Sequence, residues 1–494
     1  MGAKKYKNQN IIPVTLTLEK GVNYGRAGEV IDDNELMDGS NVIYDPDTSR
    51  LTTRPGTDCV TTAAATNAIR GLYYYMKDGS TAYLIAVSGS KLYYYNSGAL
   101  TEIGAIADAS VKPAFLTFNG KLLIADGSSA IRTWDGTTYT TIAGSPAADC
   151  LATVRNRVVA NHVSEPDSVY LSSPNDETGW TTTGTAVGLR AGYGDGLKVN
   201  GFAVLGDDVF VSKVGRTTDR QKKIYRLNVA ASVTSSWYLE PFSAHNAFTS
   251  KHTVANAYNN IFFADDNGFK TVKGIQEYGD LAVLPAGIKI NKVFGDATCD
   301  FMAFVHTYDA IWFGISNRIY CYTGFNDAFT ELSFKWGQVS SVCDANGIVY
   351  LGGNNGYLYK ISEDLDTDEI SPSTTVDYDS FVQTKAFSGV NDLILRKVKI
   401  LFKPKTSSVV NLWGVKPDET LVLLGSDTPG AEGSYIYDAT GYIYDATAYL
   451  GDTAASEFFH SFSKMRAESI ALKIHALSGR FIIESVRAEF AQVG

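Results

Sequence analysis

The sequence predicts an all-β chain: a β-propeller of about seven blades, an extended N-terminal arm and a C-terminal β-sandwich of jelly-roll type. Three observations carry this reading. A polar two-residue turn followed by an apolar run recurs seven times between about residues 78 and 350. A third strand-like segment follows each of these hairpins. Tyr (29) and Gly (45) are abundant while Pro (13) and Met (5) are sparse, and no long amphipathic helical stretch occurs, so β structure dominates.

The repeating unit begins with Asp78-Gly79 before Tyr83-Leu84-Ile85 and continues with Asn119-Gly120 before Leu122-Leu123-Ile124. Asn156-Arg157, Asp207-Asp208, Asn259-Asn260, Asp309-Ala310 and Asn346-Gly347 head the other five apolar runs. Asn, Asp and Gly tolerate the positive φ of a tight hairpin, and β-branched or aromatic residues suit the buried strand that follows. Turns recur roughly every 37 to 52 residues, the length of a four-stranded blade. The third strands include Leu92-Tyr93-Tyr94-Tyr95, Ile224-Tyr225-Arg226-Leu227 and Tyr357-Leu358-Tyr359-Lys360-Ile361. Apolar residues at every second place give them the period of a strand buried on one face.

Three regions follow from where the repeat starts and stops: residues 1–68 as an arm or small subdomain, 69–366 as the propeller, and 371–494 as the sandwich. In the first, two short strands are expected around a turn at Asp45-Pro46-Asp47. The acidic run from Ser362 to Glu369 reads as a solvated linker. It lacks the glycine-centred loop of a calcium site. In the third region a strand around 395–402 is expected to place Lys397, Lys399, Lys403 and Lys405 on one face, with Arg396, Val398, Ile400 and Phe402 on the other. Such a basic stripe is a candidate docking surface for an acidic partner, or simply a solvated sheet face. A direct repeat, Tyr435-Ile436-Tyr437-Asp438-Ala439-Thr440 and Tyr442-Ile443-Tyr444-Asp445-Ala446-Thr447, offers Tyr437 and Tyr444 as a second contact surface.

Catalytic and metal chemistry find little footing. The five cysteines, Cys59, Cys150, Cys299, Cys321 and Cys343, are widely spaced and form no CxxC pair, which suits buried free thiols. The six histidines stand singly, without metal-ligand spacing. Phosphate-loop, GxSxG and HExxH motifs are missing, and neither a cofactor nor a metal is expected. Ser173-Pro174-Asn175-Asp176-Glu177-Thr178-Gly179-Trp180 approaches the Asp-box of sialidases but departs from it at Asn175 and Glu177 and occurs once. It reads as a blade turn with a packed Trp, so no catalytic residue is assigned. No apolar run is long enough to span a membrane. The opening Met1-Gly2-Ala3-Lys4-Lys5-Tyr6 leads into no apolar stretch, so no signal peptide is expected. A net charge of −10 excludes general attraction to nucleic acid, though an acidic or neutral wall suits a channel through which DNA must slide.

The stretch Glu35-Leu36-Met37-Asp38-Gly39-Ser40-Asn41-Val42, followed by Arg54-Pro55-Gly56 and then a propeller, resembles the opening of a family of bacteriophage tail proteins. The segment from Val169 to Trp180 looks like their third-blade turn, and the Tyr-Asp-Ala repeat at 437–446 like their C-terminal aromatic repeats. This family comprises the tail nozzle or hub proteins of short-tailed phages, also called packaged-DNA stabilisation proteins. The resemblance implies a structural virion protein that forms a homo-oligomeric ring, usually a hexamer, below the portal–adaptor complex. It also implies contacts with tail fibre, spike or needle proteins, and genomic DNA passing through the channel without sequence-specific binding. Assembly would take place in the host cytoplasm and the finished protein would sit in the virion tail. On this reading Leu36, Asp38, Gly39, Asn41, Arg54 and Pro55 make inter-subunit contacts, and Lys397, Lys399, Lys403, Tyr437 and Tyr444 dock partners. The alternatives are a receptor- or carbohydrate-binding propeller for adsorption, and a glycoside hydrolase.

Overall fold

The computed structural model describes residues 11–181, 185–215, 221–229, 234–274, 281–296, 298–406, 409–427 and 456–492. The chain divides into two units, one holding Met1–Asp58, Tyr320–Lys335 and Ile361–Gly494, the other Cys59–Ile319 and Trp336–Lys360. This division differs from the boundaries expected at 68 and 371. The first 58 residues fall in the same unit as the C-terminal segment.

The strands form a seven-bladed β-propeller, and the first strand of every blade lies in the second unit. Blade one runs Ile69–Met76, Ala82–Ser88, Lys91–Asn96, Ala99–Ala105, each strand antiparallel to the next. Blades two to five open with Ala114–Phe118, Leu151–Val154, Lys198–Leu205 and Val254–Ala257, and blades six and seven with Cys299–Val305 and Val339–Ala345. Each of these first strands touches the first strand of the next blade. Val339–Ala345 touches Ile69–Met76, which closes the ring.

The hairpin turns lie where the sequence places them in blades two and seven, one residue earlier in blades three, four and five, and in blade six Ala310 already opens the strand. Asn119-Gly120 and Asn346-Gly347 have positive φ at both positions. In blades three and five the left-handed pair is Arg155-Asn156 and Tyr258-Asn259, so Arg157 and Asn260 already belong to strands. A tyrosine in that conformation is unusual. Here the ring of Tyr258 packs edge-on against Phe304 at 5.5 Å and its hydroxyl donates to the Asp309 carbonyl.

A buried polar residue ends the apolar second strand of several blades and ties down the incoming chain. Ser88 donates through Oγ to the Asn67 carbonyl at 2.7 Å, Asp126 accepts from the Ala107 N–H at 2.8 Å, and Asn161 Oδ1 accepts from the Asp149 and Cys150 N–H groups, both at 3.0 Å. Closure uses residues just after Cys59. The Val60 N–H donates to the Leu358 carbonyl and the Ala65 N–H to the Gly356 carbonyl, both at 2.9 Å. Residues 60–68, expected in the arm, are therefore part of the propeller.

Apolar layers between blades follow the alternation of the strands. Tyr75, Ile85, Val87, Leu122, Ile124 and Trp134 form one such layer, in which Trp134 meets Tyr83 and Tyr94 at ring separations of 4.9 and 5.7 Å.

In the first unit ten strands form one connected set. Its main order is Leu36–Ser40, Ser380–Thr384, Ser456–Ala476, Phe387–Pro404, Phe481–Gln492, Leu51–Thr53, Val42–Tyr44. Ile11–Leu16 adds to Phe481–Gln492, and Val410–Val415 lies between Ser456–Ala476 and Leu421–Asp427. The N-terminal strands are structural members of this set. They share hydrogen bonds with the C-terminal strand from Ile11↔Ala491 to Leu51↔Ile483.

Candidate functional site

Within the propeller, the N-terminal ends of the first strands converge at one pole of the ring. A cavity of about 190 Å³ opens there, bounded by Gly71–Tyr73 of blade one, Lys112–Phe115 leading into blade two, Cys150 and Leu151 of blade three, Phe202 of blade four, and Lys251 and His252 leading into blade five. The topology explains the convergence. A ring of blades brings together the entry loops of strands far apart in sequence.

Burial brings the Lys112 ammonium down to about 8, opposed by the nearby Asp300 carboxylate and Cys299 and aided by Lys251. Its Nζ lies 5.6 Å from the centre of the Phe301 ring. His252 sits with Nε2 at 2.9 Å from the Lys112 carbonyl, so that nitrogen carries the proton and donates. Burial and the two lysines push its pKa well below the usual imidazole range, and the ring is neutral at physiological pH. Asp300 is raised by burial and accepts from the Gln338 amide at 3.2 Å. Cys150 is also buried, which raises its thiol, and donates to Asp149 Oδ1 at 3.2 Å. It is an inert thiol rather than a nucleophile. Sequence reasoning missed this cluster. Its members are single residues brought together from five blades, with no local motif to announce them.

The six residues expected between subunits occupy a different kind of position. Leu36, Gly39, Asn41, Arg54 and Pro55 are buried within the chain, while Asp38 is half-buried. Arg54 is the centre. Its Nη1 and Nη2 meet Asp368 Oδ1 and Oδ2 at 2.9 and 2.6 Å, and the remaining N–H groups reach Asn41 Oδ1, the Pro55 carbonyl and the Ser333 carbonyl at 3.0, 2.9 and 2.9 Å. All the guanidinium donors are used. The Tyr378 ring covers the guanidinium at 3.6 Å and Phe334 lies 4.5 Å away on the same measure. Asn41 holds a left-handed φ of 58° that lets its side chain serve Arg54 and the Ser333 N–H together. Asp38 accepts from the Tyr24 hydroxyl at 3.0 Å, and Leu36 donates from its N–H to Gly21 at 2.7 Å. The motif is a clasp within one chain.

Asp368 also corrects the reading of the acidic run as a solvated linker. It lies in the strand Thr367–Ser371, is fully buried, and accepts from Thr57 Oγ1 and the Lys335 N–H, both at 3.0 Å, besides Arg54. The carboxylate belongs there because a buried arginine requires one.

Along Phe387–Pro404 the lysine alternation holds in part. Val398 and Ile400 are fully buried, Lys397 is exposed and Lys399 and Lys403 are partly exposed. A bulge between Leu395 and Lys397 turns Arg396 outward, against the expected alternation. The strand lies between Ser456–Ala476 and Phe481–Gln492, and Lys397 stands opposite Glu489. Tyr437 and Tyr444 lie outside the described residues. The segment at 173–180 is a turn in blade three, as expected. Trp180 is buried and donates from Nε1 to the Glu177 carbonyl at 2.7 Å, and Glu177 receives Lys121 Nζ at 2.6 Å. All five cysteines are free thiols. No group of three or more metal-ligating side chains occurs among the described residues.

No family model matches the chain, and no curated protein matches it. Among solved structures it is similar to a chain of the crystal structure of BBS1N in complex with ARL6DN, with 12% identity, coverage of 62% of this chain and 95% of that one, and a TM-score of 0.41. A chain from an S. cerevisiae dbp5 complex with nup159, gle1, IP6 and ADP gives 12% identity, 62% and 95% coverage, and a TM-score of 0.35. Likeness at these levels does not bear on function. No helix among the described residues is long and apolar enough to cross a membrane.

Proposed function

We propose that this chain is a structural tail protein of a short-tailed bacteriophage, a nozzle or hub subunit that assembles into a ring, extends the DNA conduit below the portal–adaptor complex, retains packaged DNA and permits its ejection. The observation that carries the reading is the ordered set of motifs from Glu35 to Gly56, which precedes a propeller of seven blades. The residues of that set are the ones that build the Arg54 clasp, so the sequence likeness rests on an architectural feature. A clasp of this kind holds the early chain, residues 331–335 and the segment after 361 in one unit. Such a fastening suits a part that must keep its shape under the pressure of packaged DNA.

Ring contacts on this reading come from exposed surface of either unit, with the lysine-bearing face of Phe387–Pro404 as a docking surface for portal–adaptor, fibre, spike or needle proteins. A net charge of −10 per copy makes a ring through which phosphates pass without being held. The chain would be assembled in the host cytoplasm and reside in the virion tail. Antibody labelling of phage particles that encode the chain tests this. Gold at the tail vertex of each particle is the expected result, and particles that lack the protein, or carry it only on fibre tips, would contradict the conduit role.

A further inference from the structure

Three buried lysines of the propeller show how such a group is ordinarily accommodated. Lys213, Lys222 and Lys270 are buried or nearly so, and each has a carboxylate within hydrogen-bond reach: Asp195 at 2.7 Å, Asp266 at 2.7 Å and Asp265 at 2.8 Å. Lys112 and Lys251 border the 190 Å³ cavity and have neither an ion pair nor a side-chain hydrogen bond among the described residues. The carboxylates nearby act on Lys112 only through space, Asp300 attracting it without an ion pair. Asp300 accepts from Gln338, and Asp149 accepts from Asn161 Nδ2 at 2.7 Å and from Cys150. His252 adds a neutral ring whose Nε2–H is committed to the Lys112 carbonyl.

We propose that this cavity binds a small oxyanion, the phosphate or carboxylate end of a ligand, between the Lys112 and Lys251 ammonium groups. A lysine that loses hydration without gaining a protein acceptor is destabilising unless something else supplies the acceptor. Lys112 is half-buried, and the hydration it gives up pulls its ammonium down, with Lys251 adding repulsion in the same direction. An oxyanion reverses both effects. Tyr73, Phe115 and Phe202 line the same cavity, and their apolar surface strengthens the attraction. At about 190 Å³ the space is below the roughly 300–1,000 Å³ of drug-sized sites, so it takes a single anionic group with a short substituent. The site belongs to the propeller unit alone and stands whether or not the chain forms a tail ring.

Amine labelling of the intact protein at pH 8 by an N-hydroxysuccinimide ester, read by peptide mass spectrometry, tests the proposal. Sodium phosphate and sodium acetate are titrated separately against sodium chloride at constant ionic strength. Saturable protection of Lys112, with exposed Lys91 unaffected, is expected from at least one oxyanion, and the one that protects identifies the phosphate or the carboxylate class. Thermal unfolding supplies the second readout. The same anion should raise the wild-type melting temperature saturably and require at least tenfold higher concentration in Lys112→Met or Lys251→Met. Equal labelling of Lys112 in all three salts, or an anion response unchanged in the variants, overturns the proposal.

Discussion

Arg54 shows how much a single side chain can organise. The guanidinium is buried, faces two rings, and spends every N–H on a partner, so its removal leaves the Asp368 carboxylate without its counter-charge. Breaking a buried pair from one side typically costs about 3–5 kcal/mol, since the survivor is an uncompensated charge. Asp368→Ala should therefore lower stability by about that amount in urea unfolding. Arg54→Met combined with Asp368→Leu should recover part of the loss. A double variant no better than the single one would mean that the clasp acts through its geometry rather than its charge. The motif residues from Leu36 to Pro55 were legible in the sequence as a unit, but their role was not. A polar, turn-rich stretch reads as exposed when its partners, Ser333, Asp368 and Tyr378, lie roughly 280 to 325 residues away. The Lys112 cluster was illegible for the same reason.

Strands and turns were the most readable level. Alternation and turn chemistry are local, and seven hairpins of blade length survive as seven blades. Where the reading slipped, tertiary contacts overrode local preference. Tyr258 takes a left-handed turn position because Phe304 and Asp309 hold it, and Arg396 turns outward because of a bulge that no residue type signals. Asp368 belongs to a strand that an acidic run conceals. Gly56 gives an element-level prediction. A Cβ at this position would stand 2.2 Å from the Thr367 carbonyl oxygen and 2.9 Å from Leu365 Cβ, so the short parallel pairing of Thr57 with Asp368 leaves room only for glycine. Gly56→Ala should destabilise the first unit by at least about 1 kcal/mol, the scale of an incompatible glycine replacement. Hydrogen exchange should show the loss in Thr367–Ser371 while the amides of Ala114–Phe118 in the propeller stay protected. Unchanged protection at 367–371 would show that the backbone shifts without cost.

At the scale of the whole molecule, the chain leaves one unit at Asp58, returns to it at Tyr320–Lys335 and again after Ile361, so the propeller unit is bracketed by segments of the other. The Arg54 clasp ties three of these separated segments together through buried contacts. This arrangement also changes what truncation means. Removing residues 1–56 deletes the strands Leu51–Thr53 and Ile11–Leu16 from the Phe481–Gln492 strand, so lost assembly in such a truncation would report unfolding of the first unit rather than loss of a subunit contact. The intact chain is the proper subject. The decisive measurement is its mass in solution, alone and mixed with portal–adaptor assemblies, by native mass spectrometry. The account predicts a ring of about six copies, formed by the chain itself or on the adaptor. A chain that remains a monomer in both conditions would contradict it.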